Sequence, residues 1–298
     1  MILHIDGLYK SFGDKEVLKG LCMDVPEKSV FGFIGKNGAG KTTTMKTVLG
    51  LIRPDKGEIR VNGEKVTYGN TATNRYIGYL PDVPEFYPFM TAREYLTFCG
   101  EVTGMEKKAM ESRTDELLEL VGLKDEKHRI KGFSRGMKQR LGIAQALFGR
   151  PKLLICDEPT SALDPVGRRE VLDILSAVRE QTTVVFSTHI LSDVEKICTD
   201  VAFIENGVIS ISGKLSDIKK RYRNDKYTLE TETPEGICAV LKAFPSAKES
   251  SGNMLTFSEK DESVKEIMLF LAENDISIVK LEKAEPTLET LFLEVTGK

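Results

Sequence analysis

The first 25 residues alternate between apolar and polar positions. The segments ILHIDGLYKSF and VLKGLCMDV both show this period of two, and the turn Gly13-Asp14-Lys15 lies between them. A period of two places successive side chains on opposite faces of a strand, so the pattern predicts two antiparallel strands. Further along, GEIRVNGEKV predicts a hairpin around Asn62-Gly63, because Asn-Gly is a preferred two-residue turn.

Short apolar runs predict buried strands in the rest of the N-terminal part. Between these runs the apolar spacing becomes helical, notably over residues 91–149 and in VLDILSAVRE (171–180). Thr91 can cap a helix with Glu94 at the third position, the capping-box arrangement. Strands alternating with helices indicate a parallel α/β sheet. The runs are VFGFI (30–34), RYIGYL (75–80), KLLIC (152–156), TTVVFS (182–187) and DVAFI (200–204).

The pattern changes after the charged run KKRYRNDK (219–226). The strand-like segments YTLETE, MLTFSE and ISIVKLE alternate there with three apolar helical stripes, which favours a small α+β domain. We therefore predict a first domain over 1–223, with a helical subdomain over about 84–150, and a C-terminal accessory domain over 224–298. The stripes are Ile237/Val240/Leu241/Phe244, Val264/Ile267/Met268/Leu271 and Leu288/Leu291/Phe292/Val295.

Composition excludes several classes of protein. A net charge of -3 with interspersed charges gives no basic field, so no nucleic-acid partner is expected. The five cysteines form no C-x-x-C pair, which favours reduced thiols in a cytosolic protein over a disulfide framework or a zinc site. No apolar stretch approaches the ~18–20 residues that a membrane-spanning helix needs.

The loop after the strand VFGFI carries the first chemical signal. Its sequence GKNGAGKTT fits the pattern G-x-x-x-x-G-K-[ST] between a strand and a helix, which is the context of a phosphate-binding loop. Glycines let backbone N–H groups point at phosphate oxygens, and the helix N-terminus adds positive potential. Lys41 is expected to reach the β- and γ-phosphates, and Thr42 to bind Mg²⁺. The predicted nucleotide-binding residues are Gly35, Asn37, Gly38, Ala39, Gly40, Lys41, Thr42 and Thr43.

A pair of acidic residues supplies the rest of a hydrolytic site. In LLICDEPTSALD, a buried strand delivers Asp157 and Glu158 to its C-terminal end, where ligands bind in open α/β sheets. We expect Asp157 to hold Mg²⁺ and Glu158 to accept a proton from the attacking water. The alternative for Glu158 is a solvated loop charge.

Five motifs in this order resemble those of the ATP-binding-cassette (ABC) transporter ATPases. They are GKNGAGKTT, FSRGMKQR, LLICDEPT, SALD and STH, and the resemblance covers roughly residues 1–220. It implies a P-loop NTPase core with an antiparallel β subdomain and a helical subdomain, to which the α+β appendage is added. The C-terminal EPTLETLFLEVTG is similar to the tail of stand-alone drug- and peptide-exporter ATPases.

The resemblance also implies roles for single residues. Phe12 matches the aromatic residue that stacks on adenine, with a core aromatic as the alternative. Ser134 and Gly136 match the signature motif, which faces the γ-phosphate of the opposite subunit's ATP. Asp164 matches the loop that couples the two sites, and His189 matches the switch histidine at the γ-phosphate, although a lone histidine is more often structural.

Two positions depart from the family pattern. Arg135 stands where the first of two glycines is usual, and Met137 follows where glutamine is common. Asp82 aligns with a glutamine that binds Mg²⁺, and its side chain is shorter by one methylene. These departures bear on hydrolysis rate and coupling more than on ATP binding.

The resemblance implies an ATP-hydrolysing subunit that closes as a homodimer on ATP and Mg²⁺. It further implies a separately encoded membrane permease, an exporter of drugs, peptides or lipids, and a cytoplasmic location at the inner face of the cell membrane. The aromatic cluster in DVPEFYPFM either receives a cytoplasmic helix of the permease or packs the helical subdomain. Two other functions stay open: a regulatory module that binds ATP with little hydrolysis, and a soluble cassette ATPase unconnected with transport.

Overall fold

A computed structural model describes residues 1–70, 72–221, 226–258, 262–283 and 288–289. It contains two compact units, Met1–Ser216 and Asp217–Lys298. The boundary expected between residues 223 and 224 lies outside the described residues, as does the third helical stripe from Leu291 onward. Within the described ranges, no helix combines the length and the apolar character needed to cross a membrane.

The strands and helices that the sequence predicts occur in the predicted order, and the structure adds helices at Leu191–Ile197 and Leu215–Arg221 and strands at Val208–Lys214 and Lys248–Ser251. In chain order the elements are β1 (Leu3–Phe12), β2 (Lys15–Val25), β3 (Val30–Ile34), α1 (Lys41–Val48), β4 (Lys56–Val61), β5 (Glu64–Lys65), β6 (Ile77–Leu80), α2 (Ala92–Val102), α3 (Lys107–Leu120), α4 (Arg135–Leu147), β7 (Leu153–Asp157), α5 (Pro165–Ala177), β8 (Thr183–Thr188), α6 (Leu191–Ile197), β9 (Asp200–Glu205), β10 (Val208–Lys214), α7 (Leu215–Arg221), β11 (Lys226–Thr231), α8 (Pro234–Ala243), β12 (Lys248–Ser251), β13 (Met254–Ser258), α9 (Val264–Glu273) and β14 (Ile278–Lys283). Short 3₁₀ turns occupy 72–76, 130–132 and 178–180.

A six-stranded sheet forms the centre of the first unit, in the order β10-β9-β3-β8-β7-β6. All neighbouring strands are parallel except β10, which is antiparallel to β9. Every residue of β3, β7 and β8 is buried, as expected for strands covered on both faces. The register pairs Ile34 with Thr188 and Asp157 with Ser187, so the loops after these strands meet at one edge of the sheet.

The two predicted hairpins form a second sheet, in the order β2-β1-β4-β5, and all its pairs are antiparallel. Its apolar face packs with the central sheet in one core that includes Leu8, Leu21, Phe31 and Phe33. Helices α2, α3 and α4 lie between β6 and β7 in the chain. The capping box at Thr91 is present: its side chain accepts from the N–H of Glu94, and the Glu94 carboxylate accepts from the N–H of Thr91.

After α7, the second unit continues in the chain order β-α-β-β-α-β. Its antiparallel sheet has the order β12-β13-β11-β14, which is the ferredoxin-like topology. A separate core contains Leu229, Phe257, Ile267 and Leu271. Strand β12 is absent from the sequence prediction, because its sequence KESS offers no apolar residue from which a period could be recognised.

Candidate nucleotide site

The loop between β3 and α1 adopts a conformation that needs glycine at three positions. Gly38 and Gly40 have φ values of 84° and 113°, in the region that L-residues rarely adopt. A side chain at Gly35 would place its Cβ 2.6 Å from the carbonyl oxygen of Ile204. The backbone can therefore curl tightly here, and α1 begins at the lysine of the motif.

Lys41 is almost fully buried, with 5% of its surface exposed. Its ammonium donates to the carbonyl oxygen of Gly35 at 2.6 Å and to that of Lys36 at 3.3 Å. Its Nζ also lies 3.1 Å from Oε1 of Glu158, which accepts no hydrogen bond from any described residue, so this attraction is ionic. The two motifs are thus in direct contact, and the buried cation is held against backbone carbonyl groups of the loop.

Ser187 holds both carboxylate-bearing residues, a role that the sequence analysis did not assign. Its hydroxyl donates to Oδ1 of Asp157 at 2.6 Å, while its oxygen accepts from the backbone N–H of Glu158 at 3.0 Å. Ser187 is fully buried and Asp157 is 3% exposed. The only sequence signal for this role is the place of Ser187 in the STH motif at the end of a predicted strand.

Glu158 lies between two nitrogen-bearing side chains. Its Oε2 is 3.0 Å from Nδ1 of His189, and its Oε1 faces Lys41. The backbone of Glu158 has a φ of 47°, which costs conformational energy in a residue that is not glycine. The site therefore contains a largely buried carboxylate, oriented from both sides, which can take up a proton from a water molecule.

One cleft of about 560 Å³ is lined by Lys41, Asp157, Glu158 and His189. Gly35 and Ala39 do not line it: the first makes the tight turn described above, and the second packs against the core. Ser134 and Gly136 also lie outside the lining. The lining residues are Phe12, Lys15, Val17, Asn37, Gly38, Gly40, Lys41, Thr42, Thr43, Asp82, Asp157, Glu158, Ser161 and His189.

Comparisons with known proteins identify the family. A family model described as ABC transporter matches residues 18–161, and a model of the C-terminal domain of DrrA1-3-like ATP-binding proteins matches residues 213–296. The ABC transporter ATP-binding protein YxlF of Bacillus subtilis (strain 168) is 38% identical over 297 residues, which cover 99% of each chain. This chain belongs to the ATP-binding proteins of ABC transporters.

Two further proteins support the same family. The bacitracin transport ATP-binding protein BcrA of Bacillus licheniformis is 36% identical over 305 residues, covering 99% of this chain and 97% of that protein. A solved ATP-binding subunit of an ABC transporter is 30% identical with a TM-score of 0.66, covering 74% of this chain and 93% of that chain. The ABC protein is therefore an ATPase that binds ATP, and neither a regulatory module with little hydrolysis nor a cassette unconnected with transport is favoured.

The ABC protein exposes Phe12 at the end of β1, with 50% of its surface accessible, so this ring is not a core aromatic. The ammonium of Lys10 lies 5.2 Å from the ring centroid and also donates to Asp55 at 3.0 Å. The hydrogen bond from Lys10, with a second from the N–H of Ser11, lowers the pKa of Asp55. The ring is thus available at the rim of the cleft, next to a cation that is fixed by a carboxylate.

The two departures from the family pattern contact each other in the ABC protein. A terminal nitrogen of Arg135 lies 3.5 Å from Oδ1 of Asp82. The fully buried Gln139 donates from Nε2 to the backbone carbonyl of Asp82 at 2.7 Å. Asp82 is therefore held to α4 by both its side chain and its backbone, in a position that still borders the cleft.

Two helices of the ABC protein begin side by side next to the cleft. Ser134 caps α4 by accepting from the N–H of Met137 at 3.2 Å, and the helix begins at Arg135. Asp164 caps α5 by accepting from the N–H of Gly167 at 3.2 Å. A Cβ on Gly136 would lie 3.7 Å from Cα of Gly167, an ordinary van der Waals distance, so the starts of the two helices are close neighbours.

The cysteine next to the acidic pair has no chemistry of its own. Burial raises the pKa of the Cys156 thiol far above its usual value, and the charge of Asp157 adds to the effect. A neutral, fully buried thiol behaves as a small apolar side chain. All five cysteines are free, and Cys22 and Cys238 are exposed.

The contacts of Ser187 allow a first prediction. Ser187→Ala should lower kcat about 10- to 100-fold, because it releases the carboxylate of Asp157 and leaves the N–H of Glu158 unpaired, so both groups lose their orientation. Steady-state ATP hydrolysis measures this loss, and equilibrium binding should show nearly unchanged ATP affinity. Ser29→Ala is the matched control, since Ser29 is buried and donates to Pro26 away from the cleft. Equal rates for the two variants would contradict the role of Ser187.

Proposed function

We propose that this ATPase hydrolyses Mg²⁺-ATP in a homodimer and powers export by a separately encoded membrane permease. The observation that carries the proposal is the meeting of Lys41, Asp157, Glu158 and His189 in one cleft, at the carboxyl ends of neighbouring parallel strands. Export of a drug, peptide or lipid is supported by the similarity to the bacitracin transport protein over nearly the whole chain.

The cleft residues suit a triphosphate. Lys41 is buried among carbonyl oxygens and Glu158, so a phosphate oxygen can replace these partners without exposing the ammonium to water. The N–H groups of the glycine loop and of the first turn of α1 supply further donors. Phe12 is the platform for the adenine ring at the rim of the cleft.

The donor set also fits magnesium. Thr42, Asp82 and Asp157 offer hard oxygen ligands on one cleft, and Mg²⁺ is usually held by one or two carboxylates with phosphate oxygens and water. When bound, the ion neutralises charge on the phosphates.

Glu158 is the general base in this proposal. It accepts a proton from the attacking water, and His189 keeps the carboxylate oriented through the 3.0 Å contact while its exposed edge is free to face the γ-phosphate. Ser187 fixes the backbone N–H of Glu158 and the carboxylate of Asp157, so neither acid needs to reorganise during the reaction.

The position of the α4 N-terminus supports the homodimer. Ser134 and Gly136 carry free N–H groups and the positive end of the helix, yet they lie outside the cleft of their own chain. In a head-to-tail dimer this helix end closes over the ATP of the other subunit. Asp164 begins the neighbouring helix and is placed to connect the two sites.

An aromatic cluster on the helical segment is the proposed docking site for the permease. The rings of Tyr87 and Phe98 meet edge to face at 5.6 Å, and those of Phe86 and Tyr95 at 5.0 Å, beside a cavity of about 570 Å³. Tyr87 is 47% exposed, so its ring is available to a partner. A cytoplasmic helix of the permease fits such a groove, and would hold the ATPase at the inner face of the cell membrane.

Drug sensitivity of the native host tests the exporter function. We expect a host carrying only Glu158→Gln to become more sensitive to at least one membrane-active peptide antibiotic, because export then lacks its energy source. Minimum inhibitory concentrations over a panel that includes bacitracin measure this, with Glu119→Gln as the control, since Glu119 is exposed and far along the chain from the acidic pair. An unchanged panel, with the variant expressed at the normal level, would reject export of such compounds.

A further inference from the structure

Asp193 is a buried carboxylate for which the proposed reaction has no use. It lies in the first turn of α6 with no exposed surface. Its Oδ2 accepts from the hydroxyl of Thr160 at 2.7 Å, and its Oδ1 accepts from Nε of Arg168 at 2.6 Å. Burying a carboxylate is unfavourable unless both oxygens have partners, and here both have one.

Asp193 and its two partners come from three segments that carry proposed site residues. Thr160 follows Glu158 closely in the chain, and Arg168 lies in the first turns of α5, which Asp164 caps. Asp193 itself belongs to the helix that follows His189. One carboxylate thus joins the segments that contain the general base, the inter-site loop and the histidine.

The backbone around Thr160 adopts a strained conformation that contacts with other segments must stabilise. Glu158 has a φ of 47° and Ala162 a φ of 52°, so two residues with side chains occupy the left-handed region on either side of Thr160. Such conformations persist only where surrounding contacts hold them. The buried hydrogen bond from Thr160 to Asp193 is the contact in the middle of this segment.

We propose that Asp193, acting through Thr160, is a positioning residue that fixes the carboxylate of Glu158 against His189. The Oε2–Nδ1 distance of 3.0 Å depends on the relative placement of the Glu158 segment and the start of α6. The Thr160–Asp193 hydrogen bond joins these same two segments on the core side of the site. This inference rests on the roles proposed above for Glu158 and His189.

The isosteric change Thr160→Val in the full chain is the direct test. Valine keeps the shape of threonine but cannot donate, while Asp193 keeps its pairing with Arg168. We expect kcat to fall about 10- to 100-fold with the dissociation constant for ATP within about threefold of wild type, because the base is displaced but the phosphate loop is not. Thr160→Ser restores the donor and should restore kcat.

Thr231→Val is the matched control. Thr231 is as buried as Thr160 and donates one hydrogen bond, to the carbonyl of Thr233, in the second unit. Each valine variant loses the hydrogen bond that its buried threonine hydroxyl donates, so both should have a lower melting temperature, and only Thr160→Val should lose turnover. Turnover of Thr160→Val within threefold of wild type, or a loss that Thr160→Ser does not reverse, overturns the proposal.

Two additional measurements distinguish failure of this proposal from misfolding and from failure of the proposed function. If circular dichroism shows that Thr160→Val does not fold, Asp193→Asn is tested in its place, with the same expected fall in kcat. If neither variant folds, the contact is structural and the proposal is overturned. Glu158→Gln is assayed in parallel. If Glu158→Gln retains wild-type turnover, the proposed role of Glu158 fails. If Glu158→Gln is inactive but Thr160→Val has wild-type turnover, only the positioning role of Asp193 is overturned.

Discussion

Lys41→Ala should weaken ATP binding about 100-fold or more. Among the described residues that line the cleft, Lys41 is the one buried cation that contacts both the glycine loop and Glu158. Its loss therefore removes the main charge-assisted contact to the phosphates. The loss also leaves the negative carboxylate of Glu158 facing an anionic ligand. Equilibrium binding of labelled ATP to the purified variant measures the change.

Lys46→Ala is the control for this experiment. Lys46 lies in the last turn of the same helix and is exposed, so the variant has the same net charge change without touching the cleft. The double variant Lys41→Ala/Glu158→Gln should recover part of the lost affinity, because the uncompensated carboxylate is then gone. Wild-type affinity in Lys41→Ala would show that this loop is not the nucleotide site.

Glu158→Gln should abolish measurable turnover and trap the ATPase as an ATP-bound dimer. Glutamine keeps the size of the side chain but cannot take up the proton, so ATP persists between the subunits. Addition of Ser134→Arg should return the protein to monomer, since it places a bulky charge at the N-terminus of α4, while ATP binding at Lys41 is preserved. Sedimentation velocity with ATP and Mg²⁺ resolves the two species.

Ser112→Arg serves as the control in the Glu158→Gln background, because it introduces the same side chain at an exposed position of α3. This variant should still dimerise. If Glu158→Gln stays monomeric at high concentration, ATP alone does not close the isolated subunit. If the variant with Ser134→Arg dimerises as well as its control, the action of Ser134 on the other subunit's ATP is refuted.

Local patterns predicted most of the fold. The period of two in β1 and β2, the apolar runs of β3, β7 and β8, and the capping box at Thr91 each follow from residues that are neighbours in sequence. Hydrophobic burial and capping act over a few positions, so a short window contains the necessary information. The edge strand β12 was missed because pairing with β13, rather than its own polar sequence, makes it a strand.

The candidate site was predictable in its residue types but not in its contacts. Lys41 and Glu158 were assigned separate tasks, and the structure places their charges 3.1 Å apart. Ser187 and Asp193 received no role, since their partners are about 30 residues away along the chain. A sequence shows which groups carry chemistry; which of them touch depends on strand register and helix packing.

The contact between Asp82 and Arg135 has a consequence for exchanging parts between related ATPases. Replacing Arg135 alone by glycine, to give α4 the usual start, would leave an uncompensated carboxylate at the edge of a cleft that must admit a triphosphate. Replacing Asp82 alone by glutamine would leave a guanidinium without its counter-charge at the end of α4. A chimera that takes the helical segment from one protein and the preceding loop from another would contain one of these unpaired charges. Residues 82 and 135 are therefore best substituted together.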